Sequence, residues 1–230
     1  MLKPVLFFCW FPLQVYSQLK GKAELNRYMV NPDKPTENLT TKITIWYLGN
    51  QSIQEVPYLD SKTDSTGTHT NAYIKYYLFI DPDLHQYFYY RSFSDTSKLL
   101  KHYKGVNPIK DQGGWDLYSN KEFNYESCKK LIDTLIDANN YSRYSFRKIS
   151  NGKTNDFILY TNCEIKGVPI RYLKPFSKKL GCPVTRMDIY YEGRLTGISQ
   201  FQYVSYTLMN EELKVFDAWK KNEKKYLKKK

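Results

Sequence analysis

The chain has 230 residues, a formal charge of +12, 41% hydrophobic and 17% aromatic residues, with 22 Tyr among them. That length suits one domain with a real core, and Tyr-rich, β-branched segments favour sheet over helix. After the first residues no run of 18 apolar residues occurs, which excludes a helical membrane protein, and the positive charge predicts attraction to anionic surfaces without choosing among them.

Residues 1–17 have the form of an export signal. Lys3 is a short positive start, "PVLFFCWFPL" is an apolar core too short to span a bilayer, and Val15 and Ser17 put small side chains at −3 and −1 of a cut between Ser17 and Gln18. The expected mature chain starts at Gln18 with a charge of +11, and the expected location is the periplasm or the extracellular space. The alternative is a buried N-terminal strand of a cytosolic protein.

Residues 41–48, "TKITIWYL", turn at Gly49-Asn50 into "QSIQEV", a hairpin pattern. Residues 60–71 are polar and aperiodic and are expected as a loop. Two aromatic strands, 73–80 and 85–93, flank the turn Asp81-Pro82-Asp83. The first is apolar on both faces, interrupted only by Lys75, so it should be covered on both sides. Ser94-Asp95-Thr96 could cap a short helix through "SKLLKHY".

The clearest helical pattern is 125–138, "YESCKKLIDTLIDA", where Cys128, Leu131, Ile132, Leu135 and Ile136 form one apolar stripe. A third hairpin follows around Ser150-Asn151-Gly152, then a Pro- and Lys-rich connector over 167–183. A fourth hairpin turns at Glu192-Gly193, and Asn210 could cap a last helix. The expected fold is α+β: a curved, mostly antiparallel sheet of successive hairpins, a half-open barrel being one form of it, with one or two helices packed on it. The expected division is a signal peptide at 1–17, a single β-rich domain at 18–219 and a disordered basic tail at 220–230.

"ITIWYLGNQSIQEV" and "MDIYYEGRLTGISQFQYVSY" running into "LKVFDAW" resemble segments of small secreted β-rich proteins of Gram-negative bacteria. The later stretch is similar to the end of periplasmic lipoprotein carriers, and the front half to secreted GLPGLI-type proteins of unassigned function. The resemblance implies a curved, half-closed antiparallel sheet and carries over no functional residue.

Chemistry-bearing motifs are sparse. His69, His85 and His102 are scattered, no HExxH, GxSxG or Gly-rich phosphate loop is present, and no metal or cofactor is expected. Asp81/Asp83 and Glu211/Glu212 have turn and helix-start explanations. After the expected cut three cysteines remain. Cys163 and Cys182 could form a disulfide in an exported protein, or all three could be buried thiols. Seven lysines between Lys220 and Lys230, among them Lys224, Lys225, Lys228, Lys229 and Lys230, are either a solvated end or a contact for anionic lipid. The functional expectation is an exported, non-enzymatic envelope protein that binds an apolar or lipid ligand, or a protein partner, in a concave sheet, and no nucleic acid. The alternative is an envelope hydrolase whose carboxylate pair is dispersed in sequence.

Overall fold

The computed structural model describes residues 20–31, 33, 39–65, 67–81, 84–105, 127–150, 152–165, 173–204 and 206–228. The first half holds β1 (Lys20–Met29), β2 (Leu39–Leu48), β3 (Gln51–Asp64), β4 (Gly67–Asp81), β5 (Gln86–Tyr90) and β6 (Leu99–Lys104). The second holds β7 (Lys129–Lys130), β8 (Thr134–Ile136), β9 (Asn139–Ser150), β10 (Lys153–Thr161), α1 (Lys174–Leu180), β11 (Val184–Tyr191), β12 (Arg194–Val204) and α2 (Asn210–Lys228).

These strands form an antiparallel sheet in the order β6-β5-β4-β3-β2-β1-β12-β11-β10-β9-β7, with β8 also on β9. The fold is the expected α+β one: a curved, open antiparallel sheet with two helices. Two meanders are joined where β1 pairs with β12, Leu25 standing opposite Phe201. The turns follow local chemistry. Glu192-Gly193 adopts positive φ at both positions, 48° and 79°, as a two-residue hairpin turn requires.

Alternation along the strands sorts the side chains onto two faces. On the first face Leu25, Ile43, Phe201, Met187, Leu159 and Phe146 form a core that α1 covers with Leu173 and Phe176. The same face continues through Val56, Leu78, Ile80, Tyr87 and Tyr89 on β3–β5. On the opposite face Ile53, Phe79, Phe88 and Tyr90 pack against Val215, Phe216 and Trp219 of α2. Both faces of β4 are thus covered, which is why it is apolar on both. Glu212 anchors the start of α2: one carboxylate oxygen accepts the Met209 backbone N–H (2.8 Å), and the other accepts Trp46 Nε1–H (2.7 Å) and the Tyr206 hydroxyl (3.2 Å).

Four expectations change. The described part of 125–138 is not helical: β7 and β8 line the outer edge of β9, and Leu131 N–H donates to the Arg143 carbonyl (2.9 Å). Asp137 and Ala138 turn the chain at φ 48° and 62°. The open edge of the twelve-residue β9 takes up the segment's backbone groups, and tertiary pairing overrides helical periodicity. Two members of the expected stripe, Ile132 and Leu135, are left 84% and 65% exposed. The second helix, at "SKLLKHY", is instead a turn around Ser94 leading into β6, which pairs with β5. The stretch 60–71 is the far end of the β3–β4 hairpin rather than a loop. Lastly, α2 runs through the basic stretch to Lys228, where Tyr226 packs edge-on against Phe88.

One close approach in the sheet depends on a missing side chain. Gly21 stands opposite Tyr47, and a methyl group on it would lie 2.7 Å from the tyrosine Cζ. Gly21→Ala is expected to displace that buried ring and cost about 1–2 kcal/mol, the usual scale of overpacking. Urea denaturation checks it, and an unchanged midpoint would refute it.

Candidate functional site

The sheet curls toward its first face. Lys101 on β6 and Ile189 on β11 stand seven strand steps apart. On a flat sheet that is about 34 Å at the usual strand spacing. Both nonetheless line one cavity of about 780 Å³. It lies between the core under α1 and the Tyr-rich cluster of β3–β5. Its volume is in the range of small-ligand sites.

The cavity opens because β2 and β3 part company. Their ladder holds only from Ile45–Leu48 to Gln51–Gln54. At the fork the Glu55 carboxylate accepts the Thr44 backbone N–H (2.6 Å), replacing the next rung. Beyond it β3 pairs with β4 alone, as a two-stranded ribbon. The register slips between Val56 and Pro57, leaving Lys75 as the extra residue on β4. Such a bulge re-aims a side chain. Lys75 turns to the cavity mouth, its Nζ 4.2 Å from the Tyr58 ring centroid and 5.4 Å from that of Tyr76.

The lining is graded. Buried Leu25, Ile43 and Val56 make an apolar floor, joined by the buried polar groups Gln54 and Ser199. The Gln54 Oε1 has no hydrogen-bond partner among the described residues, an acceptor that a ligand donor could meet. Tyr28, Met29, Tyr58, Leu59, Lys75 and Lys101 are exposed around the mouth, and Arg27 is half-buried. Among the described lining residues Glu55 is the one acid, against the cations Arg27, Lys75 and Lys101.

Outside the cavity lining, polar clusters have structural partners. One such cluster centres on Asp188, which accepts the Tyr160 hydroxyl (2.9 Å) and Arg186 Nε–H (2.7 Å). Burial and then the Asp188 carboxylate push the Tyr160 hydroxyl up, so the phenol stays protonated and the cluster ties β10 to β11. His102 is bonded to Gln86 and packs, tilted, between the rings of Phe88 and Tyr226. Among the described residues no three His, Cys, Asp or Glu side chains gather as metal ligands would.

Cys163 and Cys182 are joined by a disulfide that fastens the end of α1 to the end of β10, and Cys128 is a free, half-buried thiol. Lys224, Lys225 and Lys228 lie on α2, Lys224 beside Asp81 and Glu223 in a shallow recess that shares no residue with the cavity lining. Ser17, Gln18, Lys229 and Lys230 lie outside the described residues. Arg27, Gln54 and Lys101 carried no signal in the sequence. Lys75 did, as the one charge interrupting an apolar strand face.

No family model matches the chain, nor does any curated protein sequence. Among solved structures it is similar to a crystal structure from Vibrio parahaemolyticus provisionally assigned as an outer membrane lipoprotein-sorting protein domain. The identity is 9% and the TM-score 0.25, over 83% of this chain and 86% of that one. A likeness at that level leaves function to be argued from the chain's own residues.

Proposed function

We propose that the protein is a non-enzymatic envelope module that holds the apolar part of a ligand, in the first instance an acyl chain, in the cavity of its curled sheet. The observation that carries this reading is a cavity of about 780 Å³ with an apolar floor of Leu25, Ile43 and Val56 and a fork in the sheet for a mouth. Burying apolar ligand surface there is favourable at roughly 25 cal/mol per Å². The cations at the mouth suit a ligand with an anionic end. Export, as residues 1–17 imply it, would place the protein in the envelope, and the Cys163–Cys182 disulfide supports an oxidising compartment.

Titration with a fluorescent fatty acid in vesicle-free buffer, with native mass spectrometry of the purified protein, tests the reading. Saturable binding at one site per chain is expected. Ile43→Trp fills the floor and should weaken binding roughly tenfold or more, because a close-packed interior does not stretch to admit both indole and ligand. Equal affinity in this variant, or no saturable binding by the parent protein, would remove the cavity as the site.

A further inference from the structure

We propose that the rim of the cavity is a docking surface for an anionic lipid bilayer, so that ligand enters from the membrane through the fork between β2 and β3. The inference rests on the apolar-ligand reading above and adds a partner to it.

Large apolar side chains scattered singly over a surface need no explanation, but a contiguous exposed group does. Here Tyr28 and Met29 at the end of β1 face the mouth with Tyr58 and Leu59 on the ribbon, and their exposures are 37%, 55%, 43% and 41%. Tyr73 and Ile74, 49% and 37% exposed, extend the group on the other ribbon strand. Tyrosine combines an apolar body with a polar tip and is enriched at bilayer interfaces.

Charge selects the occupant. Arg27, Lys75 and Lys101 line the mouth, and the Glu55 carboxylate among them already accepts the Thr44 amide. The chain as a whole carries +12. Cations interleaved with tyrosines match the anionic headgroup layer over hydrocarbon, where each lysine near the surface adds electrostatic attraction. The rim also adjoins the floor: Met29 and Leu25 share a face of β1 with Arg27 between them, and Tyr58 shares a face of β3 with Val56. An acyl chain leaving a bilayer seated on this rim would pass the mouth cations and Tyr58 before it reached the apolar floor of Leu25, Ile43 and Val56.

Hydrogen exchange of the full chain, with and without vesicles of phosphatidylglycerol and phosphatidylcholine, locates the contact. Added protection is expected over 57–60 and 72–75, and phosphatidylcholine alone should give little. In vesicle flotation the double variant Tyr58→Asp/Leu59→Asp should lower the bound partition about tenfold, and Lys75→Gln about fivefold at low salt, with the Lys75 effect vanishing at high salt. These side chains are exposed, so circular dichroism should be unchanged. Three results would each overturn the proposal: protection confined to residues 1–19 or to the end of α2, undiminished vesicle binding by the double variant, or a vesicle-free dimer abolished by that variant, which assigns the rim to a second copy. The vesicle-free fatty-acid titration reads the cavity alone. Docking without ligand binding supports the rim and sinks the apolar-ligand reading; ligand binding without docking does the reverse.

Discussion

Trp219→Ala is expected to lower the stability of the protein by about 4 kcal/mol, the scale of burying and then truncating a large aromatic. Trp219 is fully buried at the centre of α2. Its ring stacks on Tyr90 at 3.8 Å between centroids and meets Phe79 and Phe93 edge-on at 6.4 and 6.2 Å. Its indole N–H donates to the Ser94 carbonyl (3.0 Å), so truncation also strips a partner from the turn that leads into β6. The residue therefore joins the helix, β4 and β5, and the β5–β6 connection in one contact. Burial pushes the neighbouring Tyr90 hydroxyl up to about 12, a sign of how dry this interface is. Urea unfolding followed by circular dichroism measures the loss. A change below about 1 kcal/mol would mean that α2 docks only loosely and that the core on this face is elsewhere.

The same helix shows which features of the fold were legible in the sequence. The hairpins were, because turn residues and alternation are local: Gly49-Asn50, Ser150-Asn151-Gly152 and Glu192-Gly193 all separate paired strands. The extent of α2 was not. Its buried stripe continues from Glu212, Val215, Phe216 and Trp219 to Glu223, but the last member is a carboxylate in a run of lysines, and composition outweighed spacing. β1 was missed because only Ala23 and Leu25 mark its buried face, although it joins the two halves of the sheet. The stripe at 128–136 was misread because its helical spacing is genuine, whereas the hairpin that β8 makes with β9 turns at Asp137-Ala138, a pair without the Gly or Asn that marks those hairpin turns. The cavity is less legible still. It depends on a fork closed by one side chain, Glu55, and on a one-residue slip beside Pro57, and neither has a periodic signature.

Glu223→Gln is expected to make the protein about 3 kcal/mol more stable at pH 8 while changing little at pH 4.5. Glu223 is only 2% exposed on α2, and its Oε1 has no hydrogen-bond partner among the described residues. Burial, and then the carboxylate of Asp81, raise its pKa to about 7, with Lys220 and Lys224 pulling the other way. Asp81 is fixed in place by the Gln51 side-chain amide (2.7 Å) and the Leu84 N–H (3.2 Å), so it cannot swing away. The sign follows from which state holds the proton. Below the ordinary carboxyl value of 4.5 both folded and unfolded chains hold it, and the neutral acid sits in its recess without the cost of a buried charge. Between there and about pH 7 the unfolded chain has released the proton and the folded chain keeps it, so stability falls as pH rises, by about 1.4 kcal/mol per pH unit at most. Above pH 7 the fold carries a buried carboxylate facing another, and the full penalty of about 3 kcal/mol is present. Glutamine keeps the shape and carries no charge, so the variant should lose this slope. Urea midpoints of both proteins at pH 4.5, 6 and 8 decide it: curves that diverge with rising pH are expected, and parallel curves would show that Glu223 ionises in the folded protein as it does in water.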